Sequence, residues 1–324
     1  MKRSLSGHNV GAVGLGCMSF GGMYGEANLD ESLECLARAV ERGADHWDVA
    51  EIYGGGQCEE IIGTFLRQQP TEIILATKAG IYPDPDRPFN NSPDKLRESL
   101  EGSLERLGRD KVELFYIHRR DPSIEIEDVV ETLAGFIEEG LIDSYGLSEV
   151  APHTVRRAHA VHPVAAVQSE YSLWSRQPEL GVIQTCKELG ITFVAFSPLA
   201  RGVLTDRFPD TAHFRKRDFR KNQPRFQPAN YEKNKAVVSG FVKYCRGKRW
   251  SVPAAAIAWV LDQGEHILPI PGTRSASHFD QCVDAQCIEF TTQDREEIAR
   301  LLPIGFAHGA RYSDAQTKGI ERYC

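Results

Sequence analysis

Short apolar runs alternate with amphipathic stretches from one end of the chain to the other. The apolar runs are continuous, as in Ile73-Ile74-Leu75-Ala76, rather than interrupted by polar residues at every second position. A continuous run indicates a strand that is buried on both faces, which is typical of a parallel sheet. The pattern predicts eight strands, at residues 10–20, 46–52, 72–78, 112–118, 144–148, 165–169, 192–196 and 267–270.

The stretches between these strands predict helices, and several carry end signals. Ser92 followed by Pro93 is typical of a helix start, because serine caps the first turn and proline suits the first helical position. Gly140 and Gly190 are typical of helix ends, where the backbone turns left-handed. Helices are predicted at residues 29–42, 93–107, 126–139, 178–189, 231–246, 252–263 and 291–302.

Eight strand-then-helix units favour a closed (β/α)8 barrel, the TIM barrel, over an open doubly wound sheet. The seventh and eighth strands are unusually far apart, because a long basic loop at 201–230 and the extra helix at 231–246 lie between them. The helix at 291–302 is also additional, and residues 303–324 are predicted to form a C-terminal tail. Since no linker or shift in composition divides the chain, we expect a single domain over residues 1–324.

The composition is that of an ordinary globular protein with an acidic balance. The 324 residues include 45 acidic and 38 basic ones, for a net charge of −7, which argues against nucleic acid as the main partner. No stretch approaches the roughly 18 apolar residues of a membrane helix, so no membrane association is predicted. Eight scattered cysteines without a C-x-x-C pair favour a reduced, cytoplasmic setting. No residues have the spacing of a metal site, and the oligomeric state stays open.

Polar side chains end several of the predicted strands. In a (β/α)8 barrel the C-terminal strand ends share one face, where the active site lies. Asp48 and Tyr53 come with the second strand, Lys78 ends the third and His118 ends the fourth. Each could be a satisfied residue at the sheet rim, but four such groups on neighbouring strands favour a site. Further polar groups at the ends of the fifth and sixth strands are Ser148, Glu149 and Gln168.

The four residues Asp48, Tyr53, Lys78 and His118 make chemical sense as a proton-donating unit. A tyrosine hydroxyl, with an ordinary pKa of about 10, is a weak acid, and a nearby ammonium is expected to lower that pKa. Asp48 would keep Lys78 charged, and His118 could donate a hydrogen bond to a substrate carbonyl. The arrangement suits proton donation to an oxygen that becomes an alkoxide, as in carbonyl reduction.

Seven segments, in order, resemble the aldo-keto reductase family. The segment 48–54 is similar to the family's D-T-A-x-x-Y-G, and 116–122 to its Y-x-H-R-x-D-P. The other five segments are 77–78 (TK), 146–149 (GLSE), 167–171 (VQSEY), 197–202 (SPLARG) and 270–274 (IPGTR). Segments 14–18 (GLGCM) and 309–312 (GARY) resemble bacterial members in particular.

The resemblance implies an NADPH-dependent reductase of aldehydes or ketones, with Asp48, Tyr53, Lys78 and His118 as the catalytic tetrad and Tyr53 as the general acid. It also implies a cofactor site in which Phe196 stacks on the nicotinamide. The residues that the resemblance assigns to the cofactor are Ser148, Glu149, Gln168, Phe196, Ser197, Leu199, Gly202, Thr273, Arg274, His278, Gln281 and Cys282. Cys282 stands where the family usually has an asparagine that binds the adenine.

Two features leave alternatives open. A family member can keep the barrel and cofactor site yet act as a slow-turnover regulatory protein, as the potassium-channel β subunits do. The basic residues of the long loop, read alone, could bind nucleic acid, although a solvated or lid-like loop is favoured; they are Arg215, Lys216, Arg217, Arg220, Lys221 and Arg225. The substrate is expected to be a small carbonyl compound in a pocket formed by Met18, Tyr24, Arg119, Trp174 and Tyr312.

Overall fold

Eight parallel strands form a closed barrel, which confirms the predicted fold class. The structure, a computed structural model, describes residues 1–216 and 218–322; Arg217 of the basic loop and residues 323–324 of the predicted tail lie outside them. The barrel strands are β3 (Leu15–Gly16), β4 (His46–Asp48), β5 (Ile74–Ala79), β6 (Leu114–Ile117), β7 (Tyr145–Ser148), β8 (Ala166–Glu170), β9 (Thr192–Phe196) and β10 (Ile267–Ile270). Backbone hydrogen bonds of 3.0 Å, from Gly14 to Pro269 and from Gly16 to Pro271, close the barrel between its first and last strands.

The N-terminal segment differs from the prediction of one strand over 10–20. Residues before the barrel form an antiparallel hairpin of β1 (Lys2–Leu5) and β2 (His8–Gly11), joined by Ser6 and Gly7. Both turn residues have positive φ, 52° and 78°, which is the conformation of a tight hairpin turn. The hairpin places Leu5 and Val10 against the apolar interior of the barrel. Only two residues of the predicted strand, Leu15 and Gly16, therefore join the barrel.

Helices surround the barrel, and those predicted from the sequence begin and end within a few residues of their expected bounds. In the described ranges the α-helices are α1 (Leu29–Glu41), α2 (Gln57–Gln68), α3 (Pro93–Leu107), α4 (Ile126–Glu138), α5 (Pro152–Val161), α6 (Val182–Leu189), α7 (Pro228–Lys248), α8 (Val252–Asp262), α9 (Ala276–Val283) and α10 (Thr292–Leu301). The helix predicted at 178–189 is divided, because Gly181 has a φ of 142° that no α-helix accommodates. None of the helices described is long and apolar enough to cross a membrane.

The long segment between β9 and α7 crosses the face at the C-terminal ends of the strands. It contains short 3-10 helices at Ala200–Gly202, Thr211–His213 and Pro224–Phe226. Phe219 donates its backbone N–H to the carbonyl of Met23 over 3.1 Å, and the guanidinium of Arg215 forms an ion pair with Glu26. These contacts hold the loop against residues 23–26, so the two segments together wall one side of the barrel mouth.

Candidate active site

A cavity of about 1140 Å³ opens at the C-terminal ends of the barrel strands. It extends from Tyr53 and His118 at the barrel mouth to Arg274 beyond the end of β10. Among the residues predicted for the site, those that line the cavity are Met18, Tyr24, Asp48, Tyr53, His118, Arg119, Ser148, Gln168, Phe196, Ser197, Leu199, Gly202, Thr273, Arg274, His278, Gln281, Cys282 and Tyr312. The fold therefore brings residues from several strand ends, and from the segments that follow them, to a common space.

Asp48 and Lys78 form a buried ion pair at the floor of this cavity. Asp48 ends β4 and pairs with Ala76 of the neighbouring β5, two residues before Lys78, so both side chains belong to the C-terminal ends of adjacent strands. The ammonium of Lys78 contacts the Asp48 carboxylate and donates to the carbonyl of Val49 over 2.8 Å. The Gln168 amide donates to the other oxygen of Asp48 over 2.7 Å. Both carboxylate oxygens are thus held, and Lys78 is fixed by two acceptors.

Tyr53 and His118 stand above this pair. Tyr53 begins a short 3-10 helix that follows β4, and its ring meets that of His118 edge to face, with centroids 5.6 Å apart. The ammonium of Lys78 lies 5.1 Å from the centre of the Tyr53 ring. Four side chains predicted from three segments of the sequence are therefore adjacent in space.

The pKa of Tyr53 does not follow the expectation from sequence. Burial raises the pKa of this phenol well above its ordinary value, and the carboxylate of Asp48 raises it further. Arg119 opposes them by lowering the pKa of the phenol. The expected net lowering of the Tyr53 pKa is therefore not found, because burial and the Asp48 carboxylate prevail. Tyr53 is consequently a protonated phenol at neutral pH, which is the form that a general acid requires.

His118 is neutral for a related reason. Burial lowers the pKa of its imidazole well below the ordinary value, and the positive charges of Arg119 and Lys78 lower it further. Burial likewise lowers the pKa of Lys78, while Asp48 opposes that effect. A neutral imidazole carries one N–H, which it can donate in a hydrogen bond while the ring stays uncharged.

The residues expected at the nicotinamide end lie along one wall. Phe196 ends β9 with its side chain half-buried, and Ser197 follows with a φ of 52° that turns the chain along the cavity. Ser148 ends β7 and accepts a hydrogen bond from Arg119 over 3.1 Å. Gln168 reaches Asp48 with its amide nitrogen, as described above. An aromatic face and small polar groups therefore line the same cavity as Tyr53 and His118.

Besides Lys78, which is buried beneath the cavity against Asp48, two predicted site residues do not line it. Glu149 is 2% exposed, and its two oxygens accept bonds of 2.8 and 2.5 Å from Arg311 of the C-terminal segment. Trp174 stacks on Phe226, with ring centroids 6.1 Å apart, and packs beneath the long loop. The structure thus assigns Glu149 an ion pair and Trp174 a packing contact.

A buried cluster of ionised side chains was missed by the sequence interpretation. Glu170 accepts hydrogen bonds from Arg201 over 2.6 Å and from Ser175 over 2.7 Å, and Arg311 lies 3.6 Å away. Burial alone would raise the pKa of Glu170, but the charges of Arg201 and Arg311 outweigh it and lower the pKa to about 2. The cluster holds the wall formed by Arg201 and ties the C-terminal segment to the barrel. Glu170 and Arg201 both fall in segments that resemble the family, which was the only signal available.

The far end of the cavity contains a second unexpected partner. Arg274 lies 3.3 Å from Glu31 near the start of α1, measured between Nε of the arginine and a carboxylate oxygen. The two residues are 243 positions apart, so no sequence pattern links them. Cys282 is 1% exposed and meets the cavity from α9.

The fold and the site define a (β/α)8 barrel protein with a polar constellation at the strand ends, where such barrels carry their active sites. The model of the Aldo/keto reductase family matches residues 12–303. Probable aldo-keto reductase 1 of Glycine max is 38% identical over 96% of this chain and 91% of its own length. Aldo-keto reductase yakc [NADP(+)] of Schizosaccharomyces pombe is 37% identical, over 96% of this chain and 94% of its own.

A solved structure agrees with this assignment. The glycerol dehydrogenase of Gluconobacter oxydans is 27% identical to this chain and superposes with a TM-score of 0.84, covering 93% of this chain and 94% of that one. The chain belongs to the aldo/keto reductase family and is an oxidoreductase.

Proposed function

We propose that this protein reduces an aldehyde or ketone to an alcohol with NADPH, and that Tyr53 donates the proton. The observation that carries the proposal is the placement of a protonated Tyr53 beside a neutral His118, above the buried Lys78–Asp48 pair, at the mouth of a large cavity. The relative from Schizosaccharomyces pombe, which has NADP(+) in its name, supports the choice of cofactor.

The residues along the cavity fit such a cofactor. Phe196 offers a ring face for stacking, and positive φ angles at Ser197 and Ala200, of 52° and 50°, curve the backbone around the adjoining space. At the far end Thr273 supplies a hydroxyl and Arg274 a guanidinium, which are donors suited to a phosphate. Ser148 and Gln168 would hold the carboxamide.

Each member of the tetrad then has a defined role. Tyr53 gives its phenolic proton to the carbonyl oxygen, and His118 donates a hydrogen bond that positions that oxygen. The buried Lys78 stabilises the phenolate that Tyr53 leaves behind, since its ammonium lies 5.1 Å from the ring centre. Asp48 keeps Lys78 charged. Bound NADPH supplies the hydride.

The proposal is tested by following NADPH oxidation with a panel of aldehydes, ketones and quinones. Steady turnover of at least one carbonyl compound, at rates typical of enzymes, supports the reductase. The slow-turnover regulatory alternative requires NADPH to bind tightly while oxidation proceeds only at a single-turnover pace across the panel. A protein that binds no NADPH in a fluorescence titration contradicts both.

Replacing Phe196 with alanine should weaken NADPH binding by about 0.5–1.5 kcal/mol beyond the loss of buried area, because the stacking face is removed. The matched control is Phe196→Tyr, which keeps the face and should bind nearly as well as the wild type. Quenching of protein fluorescence measures both dissociation constants. Equal affinities for the alanine variant and the wild type would show that the nicotinamide lies elsewhere.

Replacing Arg274 with alanine should raise the dissociation constant for NADPH by about tenfold or more, because charge-assisted hydrogen bonds to a phosphate contribute about 1.5–3 kcal/mol. NADH lacks that phosphate, so its binding should hardly change. Glu31 competes for the same guanidinium, and Glu31→Gln should therefore tighten NADPH while leaving NADH unaffected. Titrations with both cofactors provide the measurement. An equal loss of both in Arg274→Ala would mean that the residue is structural.

A further inference from the structure

The guanidinium of Arg119 lines the cavity beside the reacting groups and has no carboxylate partner among the described residues. It follows His118 at the end of β6 and lines the same cavity as Tyr53. Its Nη1 donates to the carbonyl of His118 over 2.6 Å and to Ser148 over 3.1 Å. Within residues 1–216 and 218–322, its Nε and Nη2 atoms donate no hydrogen bond. Arginine carries five N–H donors, so most of its donor capacity is unused.

Of the other five arginines that line the cavity, four are paired with a carboxylate. Their ion pairs are Arg201–Glu170, Arg215–Glu26, Arg220–Asp218 and Arg274–Glu31. Arg207 also has no carboxylate partner within the part of the chain that the structure describes, but its side chain is exposed to solvent. Arg119 is half-buried and has no carboxylate within 4 Å among the same residues.

Two acids of the site are already engaged. Glu149 gives both of its oxygens to Arg311, and Asp48 gives its oxygens to Lys78 and Gln168. The charges of these ion pairs cancel, which leaves the positive charge of Arg119 in excess at this end of the cavity. A partly desolvated charge without a partner is unfavourable, and an anionic group on a ligand would relieve it.

We propose that Arg119 binds a carboxylate carried by the substrate next to the reacting carbonyl, so that the enzyme prefers 2-oxo acids to their neutral analogues. The proposal rests on the proposed reductase function. His118 and Arg119 both line the cavity, so a single ligand can present a carbonyl oxygen to one and a carboxylate to the other. A guanidinium fork matches a carboxylate in geometry as well as in charge.

The chemistry of the reduction is unchanged by this contact. The carbonyl carbon gains a hydride, its oxygen gains the Tyr53 proton, and NADPH is oxidised to NADP+. The carboxylate neither gains nor loses electrons or protons, and the product is a 2-hydroxy acid. Arg119 acts on substrate selection, through a contact that an ester or amide cannot make as strongly.

The experiment compares phenylglyoxylate with its methyl ester in the wild type, Arg119→Met, Arg119→Lys and the control Arg207→Met. The wild type should prefer the acid in kcat/KM. Arg119→Met should lower the ratio of acid to ester by about tenfold or more, because a charge-assisted pair is lost. Arg119→Lys should lie between, since it keeps the charge without the fork. Arg207→Met should keep the wild-type ratio, because its charge is at the exposed rim.

A binding measurement separates the carboxylate contact from turnover. Calorimetric titration with mandelate and with mandelamide, in the presence of NADP+, should show a preference for mandelate that Arg119→Met loses. That preference can be found even in a protein that reduces nothing, in which case the carboxylate site stands and the reductase function falls. Reduction of neutral aldehydes without any preference for acids gives the opposite result, in which the function stands and the site is overturned.

Two further results would overturn the proposal. An equal fall of kcat/KM for acid and ester in Arg119→Met, with an unchanged unfolding midpoint, would mean that Arg119 braces Ser148 and His118 only. A higher dissociation constant for NADPH with an unchanged ratio of acid to ester would mean that the guanidinium serves the cofactor. If Arg119→Met is unstable, Arg119→Lys carries the test through its ratio of acid to ester.

Discussion

Replacing Tyr53 with phenylalanine should lower kcat by at least about a hundredfold, the usual contribution of a positioned general acid. The ring and its edge-to-face contact with His118 remain, so NADPH should bind with nearly the wild-type affinity. Steady-state rates of carbonyl reduction and a fluorescence titration with NADPH measure the two quantities. The expected pattern is a loss of turnover without a loss of cofactor binding.

Tyr82 provides the matched control for this experiment. Its hydroxyl lies 3.0 Å from that of Ser99, between β5 and α3, and it does not line the cavity. Tyr82→Phe removes the same atom from the same residue type and should leave kcat unchanged. A kcat near the wild-type value in Tyr53→Phe would remove this residue from the proton-transfer step.

Replacing Glu170 with alanine should reduce the free energy of unfolding by about 3–5 kcal/mol, because Arg201 would then be a buried charge without its carboxylate. Urea unfolding at neutral pH measures the change. Glu188→Ala is the control, since it breaks an ion pair of the same length, 2.6 Å, with Arg156 on the surface. Solvent screens that pair, so its loss should hardly move the unfolding midpoint.

The lowered pKa of Glu170 also predicts that the stability of the fold depends on pH. The pKa of Glu170 is lowered from an ordinary 4.5 to about 2 in the folded protein. A carboxyl whose pKa is lower in the folded protein stabilises the fold at pH values above its unfolded pKa. That stability is lost as the pH falls through the folded pKa. The wild type should therefore lose stability between about pH 4.5 and about pH 2, and Glu170→Ala should show a shallower loss over that range. Parallel pH profiles of the two proteins would contradict the assignment.

The barrel and the tetrad could be predicted from the sequence because both depend on local pattern. Continuous apolar runs mark buried strands, and parallel strands place their C-terminal ends on one face. Lys78 and His118 lie at those ends, so their proximity to Asp48 and Tyr53 follows from the topology alone. The N-terminal strand was predicted wrongly, because an apolar run rich in glycine also permits a hairpin followed by a short strand. Ser6 and Gly7 were the signal of the turn.

The ionisation and the pairing of the site residues were decided by the tertiary structure. Glu149 meets Arg311 across 162 positions of sequence, and Arg274 meets Glu31 across 243, so no local pattern could assign these partners. The direction of the Tyr53 pKa depends on how deeply the phenol is buried and on which charges surround it, and both are properties of the folded chain. Sequence determined which functional groups reach the barrel mouth. The tertiary structure decided which of them are neutralised and left Arg119 facing the cavity without a carboxylate partner among the described residues, since electrostatic balance is set by distances between segments that only folding brings together.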